Sequence, residues 1–364
     1  MKTKRLILSR TSVIHHYLML PFGFAAVSTI AVQTIRFKVL EDVENFNISF
    51  AFFLGLNIVC VALITTSIFS NQLLLSFNGF LSFFERISDN YACWMNPAIV
   101  KTTRITETLL IVSTCGIIGM STLISIILIL FPQAPVTIGF FIPDKYFTLP
   151  IRIFVSIAYI TAIVLSAANL TAVLQIIIVY LIYMTILVTK EFRICGNARK
   201  PTVYLTTNRL RSVKNIMTEY RGTQVLHLNF LLIAGQFLVP VATVVTNLVI
   251  FCNYVVISQR NEMNSFVVAM LATWSVAASV FWCAILEVGR YIYGNGNKVL
   301  MSWKRTDWGS SNNSLMNKFR VSCKPFMINY GSTFVIRRPT TLKFFKSLTR
   351  GTFRVLLTFI TVRN

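Results

Sequence analysis

The sequence has 364 residues, is 55% hydrophobic and only 13% charged, and has a mean hydropathy of +0.68. This balance excludes an ordinary soluble domain and specifies several membrane spans. The formal charge of +22 is confined largely to segments between apolar runs, where it reads as a topology signal and not as a nucleic-acid footprint.

Catalytic and metal chemistry find little support. The cysteines, at 60, 93, 115, 195, 252, 283 and 323, form no CxxC pair, and the only histidines are His15, His16 and His227, so no ligand cluster has metal-binding spacing. There is no GxxxxGK[ST] loop, GxSxG elbow or HExxH helix. The expectation is therefore a non-enzyme without metal or cofactor.

Seven spans are expected, at about 16–35, 48–69, 108–131, 153–189, 225–257, 266–285 and 341–362. The first follows Lys2, Lys4, Arg5 and Arg10 and is uncharged from Thr11 to Ile35, longer than a secretory hydrophobic region and close to the roughly 20 residues of a spanning helix. After a short charged loop, Ile48 to Phe69 carries no charge and forms the second span. Asn71 to Glu107 reads as a polar, partly amphipathic stretch, with Phe77, Leu81 and Phe84 at helical spacing on a membrane or protein surface.

The third span ends at Pro132, and an aromatic, proline-rich loop follows from Pro135 to Pro150. Ile153 to Thr189 and Gly222 to Gln259 are uncharged runs too long for one crossing of a core about 30 Å thick, so spans four and five must tilt, break or project. Pro240 predicts a kink in span five. No internal repeat is visible, which argues against inverted-repeat transporters and for a single domain over 1–364.

The alternating loops carry unequal charge. Twenty-four Lys and Arg fall before span one, in 71–107, in 190–221 and in 290–338, against six on the other side. By the positive-inside rule the amino terminus is cytoplasmic, the reverse of a G-protein-coupled receptor. Of three sequons, Asn47 lies outside near a span, Asn169 lies within span four, and sugar on Asn312 would report an inverted protein.

The remaining four cations, Lys343, Lys346, Arg350 and Arg354, form one stripe along the last helix. Cations in a span face protein, water or headgroups. The expectation is snorkelling Lys343 and Lys346, with Arg350 and Arg354 packed on neighbouring helices.

The layout resembles the arthropod chemoreceptor superfamily, the insect gustatory and odorant receptors. The likeness is carried by the short amino terminus, the seven spans with the amino end inside, the long fourth to sixth helices and the basic inner loops. Locally it lies in Ser322-Cys323-Lys324-Pro325, Gly331, Phe334-Val335-Ile336, Pro339-Thr340-Thr341-Leu342 and Thr352-Phe353. Phe359-Ile360 departs from the gustatory pattern of Gln-Phe after Thr-Tyr.

The resemblance implies an all-α plasma-membrane receptor that assembles as a homo- or heterotetramer. It implies that 286–340 joins the inward projections of helices four to six in a cytoplasmic anchor, and that the last helix lines a central cation pore. It also implies a pocket for a small organic tastant or odorant in the outer half of the bundle, where Phe53, Tyr159, Phe251, Tyr254, Met270 and Trp274 lie. Thr352, Phe353, Leu356, Leu357 and Ile360 are the pore and gate candidates, since apolar constrictions gate by dewetting. Arg350 and Arg354 share a helical face with Leu357 and would repel cations there, so the stripe is expected to turn away from the lumen. The alternative is a secondary transporter of a small solute, for which ionisable residues near the midplane are lacking outside the last span.

Overall fold

The computed structural model describes residues 10–91, 148–194, 204–330, 334–337 and 339–363, with scattered positions between 104 and 146. The later part of the third expected span, most of the loop before the fourth, and Cys93 and Cys195 lie outside the described residues.

The helices are α1 (Arg10–Val39), α2 (Val43–Tyr91), α3 (Leu149–Ile186), α4 (Val213–Ser258), α5 (Ser265–Arg305), α6 (Ser310–Ser322) and α7 (Thr340–Arg363). A two-stranded antiparallel hairpin, β1 (Asn329–Tyr330) and β2 (Phe334–Val335), precedes α7, so the chain is helical but not wholly so. Among the described residues, four helices are long and apolar enough to cross a membrane: α2, α4, α5 and the part of α3 from Ser166. The first and last helices are not among them.

The stretch after span two differs from the sequence reading. α2 continues unbroken for 49 residues, about 74 Å at 1.5 Å per residue. Nothing between Asn71 and Tyr91 breaks a helix, and its polar residues fall on the side away from Phe80, Phe83, Ile87 and Tyr91, which are buried. The buried face is thus set by Phe80, Phe83, Ile87 and Tyr91, with Phe84 of the expected stripe packed beside it, the protein-surface branch of that expectation.

α3 widens at its end into a π-helical turn over Leu187–Glu191, α4 runs through Pro240 for 46 residues, and α5 for 41. The helices that carry expected spans four to six are each longer than a hydrocarbon core of about 30 Å. At one end of the molecule lie the α1–α2 and α4–α5 connections, where Asn264 N–H donates to the Glu44 carboxylate (3.4 Å) and the Asn264 side chain caps α5 by accepting from Phe266 N–H (2.9 Å). At the opposite, basic end the long helices meet α6 and the hairpin.

The main core sits at that basic end. Phe192, Tyr220, Trp303 and Phe326 are buried there, with the Tyr220 ring 4.8 Å edge-on from both Trp303 and Phe326. The Trp303 indole donates to Phe192 O (2.9 Å), satisfying its one donor. Each such aromatic stabilises the fold by about 1.5–3 kcal/mol. Towards the other end, the most apolar window of α2 is only 28% buried and that of α3 13%. Phe154 and Leu232 are more than 70% exposed. An apolar surface of that extent on helices of this length belongs in lipid.

Acids embedded in the basic segments hold this core together. Glu191, 2% exposed at its side chain, accepts from Arg211 (3.1 Å), Leu205 N–H (2.9 Å), Thr206 N–H (3.2 Å) and the Thr206 hydroxyl. Burial lowers the pKa of the Arg211 guanidinium below its ordinary value, and the Glu191 charge opposes that shift. The guanidinium also stacks on Tyr204, 3.3 Å from the ring centre. A second acid, Glu219, pairs with Arg86 (2.6 Å) and ties α4 to the far end of α2.

Two outcomes follow for stability. Removing one member of the buried pair leaves the other charge unpaired, so Arg211→Met is expected to cost roughly 3–5 kcal/mol. Arg290→Met, whose partner Glu287 is half-exposed, should cost under about 1 kcal/mol. A Cβ on Gly296 would stand 2.9 Å from the Phe326 backbone nitrogen, whereas one on Gly55 meets nothing within 4 Å. Gly296→Ala should therefore lose about 1–3 kcal/mol while Gly55→Ala is neutral or slightly stabilising. Thermal unfolding of the detergent-solubilised protein measures all four.

Candidate functional site

Five of the six expected ligand-binding residues converge in space. Phe53 of α2, Phe251 and Tyr254 of α4, and Met270 and Trp274 of α5 are half-buried around one small core containing Leu54, Cys252, Val255 and Leu271. They lie within about 15 Å of the α1–α2 end, counting 1.5 Å per residue from each helix terminus. The side chain of Tyr159, the sixth, lies outside the described residues.

The rings pack edge to face. Phe50 meets Phe251 at 4.6 Å, Phe52 meets Trp274 at 4.8 Å, and Phe50 stacks on Phe53 at 6.1 Å. Polar groups are few and placed at the rim. Asn47 donates to Gln259 Oε1 (2.5 Å), and deeper in the bundle the Ser275 hydroxyl of α5 donates to Asn253 Oδ1 of α4 (2.6 Å). An apolar, aromatic site with two or three fixed polar groups can hold a small organic molecule by shape. Phe50, Phe52 and Asn47 join the cluster although sequence reasoning passed over them. Phe50 lies three residues from both Asn47 and Phe53, the spacing of neighbours on one helix, and that was the available signal; Phe52, next to Phe53, gave none.

Asn47 is 1% exposed, so this sequon is sealed against α4.

The gate candidates do not share one face. α7 packs through Leu348, Thr352, Phe344 and Val355, and Thr352 is buried with its hydroxyl unpartnered among the described residues. Thr352, Phe353 and Leu356 border a groove of about 730 Å³ between α4, α5 and α7, along with Asn253, Ser275 and Ser279. Phe353 and Leu357 are 61% and 65% exposed. The side chain of Ile360 lies outside the described residues.

α7 is fixed at two levels. Near its start the Thr341 hydroxyl donates to Glu287 (2.9 Å). Further along, a Cβ on Gly351 would lie 2.5 Å from Ile250 Cδ1, a close approach of α7 to α4 that the missing side chain permits. Beneath the first tie, Ile336 of the hairpin sits directly on Gly289 of α5.

The basic stripe is arranged differently from the expectation that Arg350 and Arg354 pack on neighbouring helices. Lys343, Lys346, Arg350 and Arg354 are all exposed, on the side of α7 opposite Leu348 and Thr352. The packed face of α7 is filled by small and apolar residues, which leaves no room there for a guanidinium.

A long-helix bundle with a lipid-facing half, a self-contained protein core at one end and a terminal helix laid against it has the insect chemoreceptor fold. Among solved structures the chain is similar to the insect olfactory receptor OR5 from Machilis hrabei, with a TM-score of 0.64 at 12% identity, over 97% of this chain and 90% of that one. It is similar also to the same receptor in complex with eugenol, at TM-score 0.63 and 11% identity over 94% and 88% of the two chains. Both are receptors, not enzymes. No family model matches the sequence, and no curated protein matches it.

The Asn47 tie supplies a test of the site's scaffold. Asn47→Ala should lower thermal stability by about 1 kcal/mol through loss of the link to Gln259. Peptide mass spectrometry of protein from a glycosylating host should find Asn47 unmodified.

Proposed function

We propose that this chain is a chemosensory receptor of the plasma membrane, a channel opened by a small organic molecule. The observation that carries the proposal is the chemoreceptor fold over nearly the whole chain, joined to the convergence of Phe53, Phe251, Tyr254, Met270 and Trp274. In this reading the chain spans the membrane seven times with its amino terminus in the cytoplasm, supported by the excess of Lys and Arg at the core-bearing end. The core of Phe192, Tyr220, Trp303 and Phe326 is then the cytoplasmic anchor of a tetramer, homomeric or with a partner subunit.

The mechanism follows from the shared helices. Ligand enters the aromatic cluster between α2, α4 and α5, and the same α4 and α5 carry the ties to α7 at Ile250 and Glu287. A change in packing around Trp274 and Phe251 moves α7 through those ties and shifts Phe353 and Leu357 in the permeation path. Eugenol, bound by the Machilis receptor, sets the size and polarity of a first test ligand.

Single-channel recording from the purified full-length chain in planar bilayers, with eugenol and a panel of comparable phenols, terpenes and esters, tests this directly. Trp274→Ala and Phe251→Ala should each raise the half-maximal concentration about tenfold, equivalent to ~1.4 kcal/mol, with single-channel current unchanged. Half-maximal concentrations unmoved in both variants would remove the cluster from ligand binding.

A further inference from the structure

The basic stripe of α7 is exposed along its whole length, on the side opposite the packed Leu348 and Thr352. We propose that Lys343, Lys346, Arg350 and Arg354 form a column of positive charge facing the permeation path, which selects small monovalent anions such as chloride. The inference rests on the channel reading above.

Depth decides between water and lipid. Glu287, which holds Thr341, lies 22 residues from Ser265, or about 33 Å along α5, close to one hydrocarbon thickness. Arg350 and Arg354 then lie about 14 Å and 20 Å further along α7 from Thr341, in the middle and outer parts of the bilayer. The second tie agrees, since Ile250, against Gly351, is eight residues or about 12 Å from the opposite end of α4. Lys343 and Lys346 reach the inner headgroups by snorkelling, but Arg350 is too deep for that. An arginine facing lipid at the centre of a span costs about 2.5–3.5 kcal/mol or more.

Among the described residues nothing neutralises the column. α7 contains no Asp or Glu, and the runs 11–35, 48–84, 108–143, 153–189, 222–259 and 263–286 contain none either. Among the described residues no carboxylate pairs with any of the four cations. Exposed, unpaired among the described residues and at mid-membrane, Arg350 and Arg354 require water. In an aqueous path bordered by several copies of α7, rings of guanidinium raise the local concentration of anions and exclude cations. Phe353 and Leu357 flank the column and supply the apolar constriction beside it.

The test uses Arg350→Cys and Arg354→Cys variants of the full chain in phosphatidylcholine vesicles, followed by peptide mass spectrometry. Each is treated with methanethiosulfonate reagents bearing a sulfonate or a trimethylammonium group. The sulfonate reagent should react about tenfold or more faster than the cationic one, after correction for their rates with a small free thiol. Labelling reads a closed path as well as an open one from the inner side. Faster reaction of the cationic reagent would overturn anion selection while leaving the water-lined helix in place. Failure of both positions to react with either reagent would overturn the pore-lining role of α7 itself. Protection that appears only when phosphatidylglycerol is added would assign the stripe to acidic headgroups and overturn the proposal. Where eugenol or another panel compound evokes current, the wild-type reversal potential should follow the chloride gradient, and Arg350→Gln with Arg354→Gln should move it towards the sodium potential. A wild-type value that follows sodium overturns the inference and leaves the channel reading intact.

Discussion

Helix length against bilayer thickness is the constraint on which this structure depends. Helices of 41 to 49 residues extend well beyond a hydrocarbon core of about 30 Å, so part of each must be covered by protein at an aqueous end. The buried aromatics, the clamp of Glu191 and Arg211, and the short helix and hairpin all gather at that end. In the other half the hydrophobic drive to pack helices together is absent, because lipid is as apolar as leucine, and the interior there is correspondingly sparse. One chain thus contains a soluble-like core and a lipid-solvated bundle on shared helices.

That sharing gives the molecule its mechanical connections. α4 carries Phe251 and Tyr254 near one end, with Ile250 beside them against Gly351, and Tyr220 in the core at the other end. Near its passage into the core, His227 bridges the Tyr180 hydroxyl and the Met327 carbonyl, the latter at 2.9 Å. α5 likewise runs from Met270 and Trp274 through Glu287 to Trp303. A displacement at the aromatic cluster cannot be absorbed locally without moving a helix that α7 rests on, since close-packed interfaces shift between discrete arrangements instead of deforming smoothly.

Apolar run length was legible in the sequence and carried most of the fold. The overlong uncharged stretches at 153–189 and 222–259 announced helices longer than a single crossing, and five of the six residues singled out at one depth meet in one cluster. The continuation of α2 was not legible, because the sequence after Asn71 loses hydropathy while keeping helical periodicity, and hydropathy was read as the boundary. Once a helix leaves lipid, the apolar stripe narrows to one face and the polar residues turn to water, as Phe80, Phe83, Ile87 and Tyr91 show. The roles of Glu191 and Glu219 were also hidden. Two acids among eight basic residues look like scattered surface charge, and only the tertiary fold brings Arg211 and Arg86 onto them. The facing of α7 was beyond reach for a related reason, since helical phase gives which residues share a side but not which side is packed.

The treatment of charge differs between the two halves in a way that bears on function. At the basic end, Arg211, drawn into the core, is met by the Glu191 carboxylate, as desolvation demands. In the membrane half, four cations stand on one face of α7 with no acid available in any apolar run. A fold able to pair Arg211 with Glu191 has the means to pair Arg350 also, and a single Asp or Glu on α4 or α5 would have sufficed. The face of α7 that meets those helices carries Leu348, Thr352 and Gly351 instead, shaped for close approach and not for charge. Among the described residues Arg350 and Arg354 are thus held apart from every carboxylate, which is the arrangement the proposed water-filled path along α7 would account for.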